Sequence, residues 1–490
     1  MIRSVAALCV LATTATAEIR FENHSANLPP HQYSGGWEHF VGGGVAVFDC
    51  DGDHDPDIYV AGGENAEVSL RNLGAMRFEK IDNPVLGRVT GAYPIDIDGD
   101  AILDLFVLRV GPNAILRGQG DCRFEVAEGA WAAPALDQWS TAFSAWWRDD
   151  DTPPVMAVGN YVDRADPEGP FEACDDNVIL SHSENGFQPS PLSPGYCALS
   201  MLAGTDARGA PTLRISNDRH YYVRGGSEQM WDITEERFLT AEDGWPEVSL
   251  WGMGIGSHDL TGDGRDEVML TSMGDQLLQI AQADGTYAAA PFEIGTYAHR
   301  PHVGDDGRPS TGWHAEFGDV DNDGRADLFI AKGNVDQMPG MAMRDPNNLL
   351  RQRSDGGFDE VSVAAGIATT ERSRGGALAD FDGDGRLDLI VVNRRADLEL
   401  YRNVTADTGA WIAVALTQEG ANSQAVGARV TVNGQTREMR VGGGHAGGQA
   451  LPLHFGLGDA TQATITVTWP DDSQSSLSAE VNQRVALHKP

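Results

Sequence analysis

Nine residues in the second half of the chain constrain it most: Asp319-Val320-Asp321-Asn322-Asp323-Gly324-Arg325-Ala326-Asp327, followed at once by Leu328-Phe329-Ile330-Ala331. Carboxylates stand at positions 1, 3, 5 and 9 of this stretch, with glycine at 6. Packed this densely they repel one another and resist burial unless a cation sits among them. A tight loop turns them toward one point. Oxygen ligands at the first three odd positions, a turn-making glycine, a backbone carbonyl just after it and a later acid make a calcium loop. An EF-hand is excluded, because its twelfth position needs a bidentate Glu where this chain has Ile330, and because a short apolar run of strand type follows instead of a helix.

The spacing recurs as Asp49, Asp51, Asp53 and Asp57; as Asp96, Asp98, Asp100 and Asp104; and as Asp380, Asp382, Asp384 and Asp388. A looser copy has Asp259, Thr261, Asp263 and Glu267. With Asp319, Asp321, Asp323 and Asp327 that makes five loops, each leading into a short apolar strand. Two further units keep the frame without the acids: residues 147–155, with Asp149 and Asp151 in register, and residues 204–212, with Asp206. No metal is assigned to these two. Regular repeats of this length are units that bury their apolar faces against one another. Seven of them, with four strands each, predict an all-β chain folded as a seven-bladed β-propeller. The seventh unit stops after Asn403 without its last strand, and Ile19-Arg20-Phe21-Glu22 has the missing pattern. The N-terminal segment is therefore expected to close the ring.

Net charge is −37, from 35 basic and 72 acidic residues among 490, which makes nucleic acid and anionic membranes poor partners. Residues 1–17 read as a cleaved secretory signal, with Arg3, an apolar stretch and Ala15-Thr16-Ala17, so the expected location is secreted or periplasmic. No later apolar run is long enough to span a bilayer. Four cysteines remain, and an oxidising compartment favours disulfides with three possible pairings. Cys174–Cys197 would close an insertion-like segment and is preferred. Cys50–Cys122 follows by elimination, unless those two stay as thiols.

The loops resemble FG-GAP (VCBS-type) repeats, as in integrin α-subunit propellers. Gly159-Asn160-Tyr161-Val162-Asp163, Trp251-Gly252-Met253-Gly254, Trp313-His314-Ala315-Glu316-Phe317, Asp345-Pro346-Asn347-Asn348-Leu349 and Val392-Asn393-Arg394-Arg395 make the chain similar to the cartilage acidic protein-like family. The resemblance implies an integrin-α-like propeller over residues 18–405 and about four or five structural Ca2+ ions. His54 and Ala101 replace the glycine at position 6. Alanine tolerates positive φ poorly, so the second loop is expected to have altered geometry. Neutral Thr261 makes the fifth site the weakest.

Residues 406–410 read as a linker, and residues 411–490 lose the acidic ladder. There Ile465, Val467 and Trp469 alternate with threonines, the pattern of a half-buried strand. A small β-sandwich is expected. Gly427-Ala428-Arg429-Val430, Gly442-Gly443-Gly444-His445 and Trp469-Pro470-Asp471 resemble the ASPIC/UnbV module. His445 and His454 read as turn residues. No catalytic motif stands out, neither G-x-S-x-G, H-E-x-x-H nor a phosphate loop, so no catalytic residue is assigned. The end of the propeller away from the acidic loops gathers polar and cationic groups: Tyr161, Asn217, Asp218, Arg219, His220, Asn393, Arg394 and Arg395. The functional expectation is a calcium-stabilised binding or adhesion scaffold for a protein or glycan, more a binder than an enzyme. The alternative is a polysaccharide- or peptidoglycan-active enzyme with its site at the channel rim.

Overall fold

The computed structural model describes residues 18–167, 169–218, 225–304 and 307–490. The expected signal at 1–17, and Arg219 and His220 of the rim, lie outside the described residues. Seven four-stranded sheets follow the seven repeats. In the sixth, Gly312–Gly318, Asp327–Lys332, Asn348–Gln352 and Phe358–Glu360 pair antiparallel in chain order. First strands of consecutive blades touch one another all the way round, so they line a central axis. These strands are buried on both faces, as Val89–Ile95 is along its whole length. The second strands, such as Asp327–Lys332 and Asp388–Asn393, are likewise buried along their whole length, which explains why the residues after each loop read as a short continuous apolar run and not as an alternating one. Blades two and three are further stitched at their near ends, where Gln138 pairs with Gly111 and Trp139 with Val110.

The ring closes as expected. Strand Phe21–Asn23 pairs antiparallel with Glu399–Asn403, Phe21 opposite Asn403, and supplies the fourth strand of blade seven. Ile19 and Phe21 enter an apolar cluster with Phe329, Leu389 and Tyr401 between blades six and seven. Disulfides join Cys50 to Cys122 and Cys174 to Cys197.

The tail forms two further sheets. Leu453–Gly458, Ala410–Thr417 and Gln483–His488 make one; Gln435–Glu438, Arg429–Val432, Gln462–Thr468 and Gln474–Glu480 make the other. Ile412, Val414, Val430, Phe455, Ile465 and Trp469 fill the space between them. This sandwich caps the end of the propeller that carries the acidic loops. His454 Nε2 lies 2.8 Å from Asn322 Oδ1, Gly458 donates its N–H to the Asn322 carbonyl at 2.8 Å, and Asp96 N–H donates to Gln424 Oε1 at 2.9 Å.

From the cap, residues 441–450 reach down the axis as a glycine-rich finger. Val441, Gly442 and Gly444 bridge antiparallel to Ala145, Leu202 and Ile255, on the first strands of blades three, four and five. Gly447 bridges parallel to Ala92 of blade two, and Gln449–Ala450 adds a parallel strand beside Val47 and Phe48 of blade one. His445 takes the Gly42 N–H on Nε2 at 3.2 Å, and its own N–H meets His314 Nδ1 of blade six at 3.2 Å. The finger thus pairs with the walls of six blades. His445 is a buried channel residue, not an ordinary turn histidine.

Candidate metal centres

Each acidic loop joins the first strand of a blade to the second, and the same bonds shape every copy. The first aspartate folds the loop around itself. Asp319 Oδ2 accepts the Gly324 N–H at 2.7 Å, Asp380 Oδ2 that of Gly385 at 2.9 Å, Asp259 Oδ2 that of Gly264 at 2.8 Å and Asp96 Oδ2 that of Ala101 at 2.9 Å. Position 6 needs a left-handed residue to present that N–H, and Gly324 has φ +89°. His54 at +77° and Ala101 at +66° take the same conformation. The carboxylate bond holds Ala101 in this conformation although its Cβ disfavours it, at a cost of about 1–2 kcal/mol.

The acid at position 9 is the first residue of the second strand and binds the loop to the sheet. Asp327 Oδ2 accepts from Val320 N–H at 3.1 Å and Oδ1 from Gln352 N–H on the third strand at 2.9 Å. Asp388 repeats this with Phe381 and Asn403, and Asp104 with Ile97 and Gly118. Asp57 does so with Cys50 and Asn72.

Carboxylate oxygens converge within 4.8 Å of one another in four groups: Asp49, Asp51 and Asp53; Asp96, Asp98 and Asp104; Asp319, Asp321 and Asp327; Asp380, Asp382 and Asp388. Among the described residues, Asp259, Asp263 and Glu267 form no such group, because Thr261 leaves the fifth loop one carboxylate short. Burial, then neighbouring carboxylates, hold Asp319 and Asp327 well above the usual carboxylate range. Asp388 is raised well above it as well, chiefly by burial. Burial pushes Asp57 and Asp104 up to about 7, Asp380 to about 6 and Glu267 to about 7. Burial thus opposes ionisation of the acid at position 9 in each of these loops. Asp321 Oδ1, Asp382 Oδ1 and Glu267 Oε1 are buried with no hydrogen-bond partner among the described residues. An all-oxygen donor set with unsatisfied inward atoms fits a hard divalent cation.

One partner of these loops escapes the acid spacing. An arginine on the third strand pairs with the position-3 carboxylate: Arg117 with Asp98, Arg351 with Asp321 and Arg402 with Asp382, each at 2.5 Å, and Arg71 with Asp51. These arginines directly precede the residue whose N–H binds the position-9 acid, as Arg351 precedes Gln352. In blade five Thr261 replaces the acid at position 3, and Ile280 stands in the place of the arginine. The signal was present in the repeats, at constant register one strand beyond the loop.

The two acid-poor loops bear on the cap as well. Asp150 of blade three takes Lys489 Nζ at 2.7 Å and Gln418 Nε2 at 2.9 Å, and Trp147 Nε1 donates to the Ala421 carbonyl at 3.0 Å. In blade four Thr205 Oγ1 donates to Glu438 Oε2 at 2.7 Å.

At the opposite end the rim residues sit inside hydrogen-bond networks. Arg394 is buried, donating to the carbonyls of His39 at 3.0 Å and Gly35 at 2.9 Å and pairing with Asp336 at 2.6 Å. Arg395 shares Asp336 and the Gly35 carbonyl. Asn393 donates to the Asp397 carbonyl and Asn217 to that of Ser227. The Tyr161 hydroxyl donates to Asp218 Oδ2 at 2.5 Å.

A model of the FG-GAP-like repeat matches residues 49–107, 259–330 and 319–391, and one of the ASPIC and UnbV domain matches residues 418–490. Cartilage acidic protein 1 of Mus musculus is 29% identical over 184 residues, 35% of this chain and 28% of that protein. The Xenopus tropicalis protein of the same name is 26% identical over 505 residues, 91% of this chain and 73% of that one. The mouse match thus spans little more than a quarter of its relative. Among solved structures, BBS1N in complex with ARL6DN aligns at a TM-score of 0.47 with 9% identity, covering 79% of this chain and 97% of that one. Saccharomyces cerevisiae Sqt1 aligns at 0.41 with 12% identity, covering 77% and 100%.

Proposed function

From the premise that this chain is an FG-GAP-like repeat protein ending in an ASPIC and UnbV domain, hence a propeller scaffold, we propose that Ca2+ ions occupy its acidic loops as structural ions. We propose further that the chain is exported and that the scaffold presents a protein or glycan partner with the face away from the cap. The observation that carries the calcium reading is the orphaned position-3 oxygen, Oδ1 of Asp321 and of Asp382, buried among carboxylates whose ionisation burial opposes. Calcium would supply the missing positive charge and accept those oxygens; the protein's share is to hold the oxygens in place through the loop N–H bonds. Two disulfides and a signal-like N-terminus support export, and extracellular calcium is plentiful enough to fill weak sites. No helix among the described residues is long and apolar enough to cross a membrane.

The test is removal of the ion. Four sites held at a hundredfold their Kd contribute about 2.7 kcal/mol each, so EGTA should lower the melting temperature by about 10 °C or more, and added calcium should restore it. Elemental analysis of the purified protein should find about four calcium ions per chain. Unchanged melting in EGTA with no calcium found would refute the reading.

A further inference from the structure

A cavity of about 380 Å³ lies between cap and propeller, above the inner ends of blades six, seven and one. Its size falls within the range of small-molecule sites, about 300–1,000 Å³. Phe317, Leu378 and Leu387 form an apolar floor on the propeller, and Trp411 with Leu451 forms the cap side. The Trp411 ring stacks on His454, with centroids 5.9 Å apart and planes at 14°. Burial pushes His454 down to about 3, with Arg437 adding to the effect, so this imidazole brings no charge.

Two guanidinium groups line the same space, Arg437 and Arg484. Arg437 makes one hydrogen bond, from NH1 to the His454 carbonyl at 2.8 Å, and no ion pair among the described residues. Its neighbour Arg440 has Asp266 at 2.5 Å and Glu438 at 2.7 Å. Glu316, the carboxylate whose field Arg437 feels most, is already engaged: it takes Gln449 Nε2 at 2.7 Å on one oxygen and the Leu378 N–H at 3.1 Å on the other. Arg484 feels Asp49, whose oxygens hold the N–H groups of Gly52 and His54 in the loop. Asp49, Glu316 and Asp380 line the same space, yet among the described residues neither guanidinium is in contact with a carboxylate, and a guest that brings one to them offsets the cost of two partly buried cations.

We propose that this cavity binds a small carboxylate with a flat apolar body. The carboxylate is held by Arg437, assisted by Arg484, in the two-pronged geometry that guanidinium offers. The body lies between Trp411 and the Phe317–Leu378 floor. Asp49 and Asp380 of the first and seventh loops also line the cavity, so the site rests on those loops being neutralised by calcium, and binding is measured with the ion present.

The probes are benzoate and indole-3-carboxylate, with benzamide as the uncharged counterpart, titrated into full-length calcium-replete protein while tryptophan fluorescence is followed. Saturable quenching by a carboxylate, with benzamide at least about tenfold weaker, is expected. Arg437→Met should weaken carboxylate binding by about tenfold or more and leave the benzamide response unchanged. If Arg437→Met does not fold, Arg437→Lys and the wild-type comparison of benzoate with benzamide still decide. No saturable response to either carboxylate, equal response to benzoate and benzamide, or undiminished carboxylate binding by the variant would overturn the proposal.

Discussion

A buried acid needs a proton, a donor or a cation, and Asp218 is the case with no metal loop around it. Its Oδ2 takes the Tyr161 hydroxyl, its Oδ1 has no partner among the described residues, and burial pushes it up to about 7. The folded-state value is raised above the unfolded one, near 3.8. Its contribution to stability is therefore fully present below about pH 4 and is lost as pH rises through 7. Asn at this place still accepts from Tyr161 and does not titrate. Asp218→Asn should match the parent's melting temperature near pH 4.5 and exceed it by a few degrees at pH 8; calorimetry at both pH values reads the difference, and a pH-independent gap would show that the carboxyl is ionised throughout. At this scale the acid spacing was legible because carboxylates so dense have few explanations. The pairing arginines were not: Arg351 is 30 residues from Asp321, and register across a strand turn is invisible until the strands are counted. Propensity weighs Ala101 alone, whereas the Asp96 bond fixes its backbone from outside.

Strands and loops were legible where the repeat was complete, and the break in the pattern was itself informative. Blade seven lacks a fourth strand of its own, which predicts that Phe21–Asn23 closes it. Ile19 is 4% exposed and Phe21 5%, and burying two such side chains is worth about 1.5–3 kcal/mol each. Removal of residues 18–25 also strips the hydrogen-bond partners of Glu399–Asn403 and opens an edge. A chain starting at residue 26 should unfold at a urea midpoint clearly below that of a chain starting at Glu18. Equal midpoints would mean that the ring is held without this strand. The loops of blades three and four gave no such clue. Asp150 meets Lys489 across 339 residues, and nothing in the local pattern of either segment announces the other. Absence of the acids predicts only absence of a metal; the structure adds that these two loops, like the acidic ones, dock the cap.

At the scale of the molecule, the sequence divides where the chain does not. The end of the acidic ladder after residue 405 suggests a propeller and an independent sandwich, yet the finger makes them one body. The fit depends on glycines on both sides of the contact. A Cβ added at Gly44 would lie 1.8 Å from the Ala446 carbonyl oxygen, one at Gly91 1.7 Å from it, and one at Gly447 2.2 Å from that of Val45. Read alone, Gly91 is a weak spot in a strand and Gly442-Gly443-Gly444 a flexible turn; their common reason is a close approach between segments some 350 residues apart. Gly91→Val should expel the finger while adding a residue suited to its own strand. If the finger couples the domains, the parent melts in one transition and Gly91→Val in two, and a protease of broad specificity such as proteinase K releases the sandwich from the variant by cutting between the domains while the parent stays intact. Should the variant melt once, at the parental temperature, the cap would be held by its contacts to the loops alone, and the finger would be a passenger in the channel.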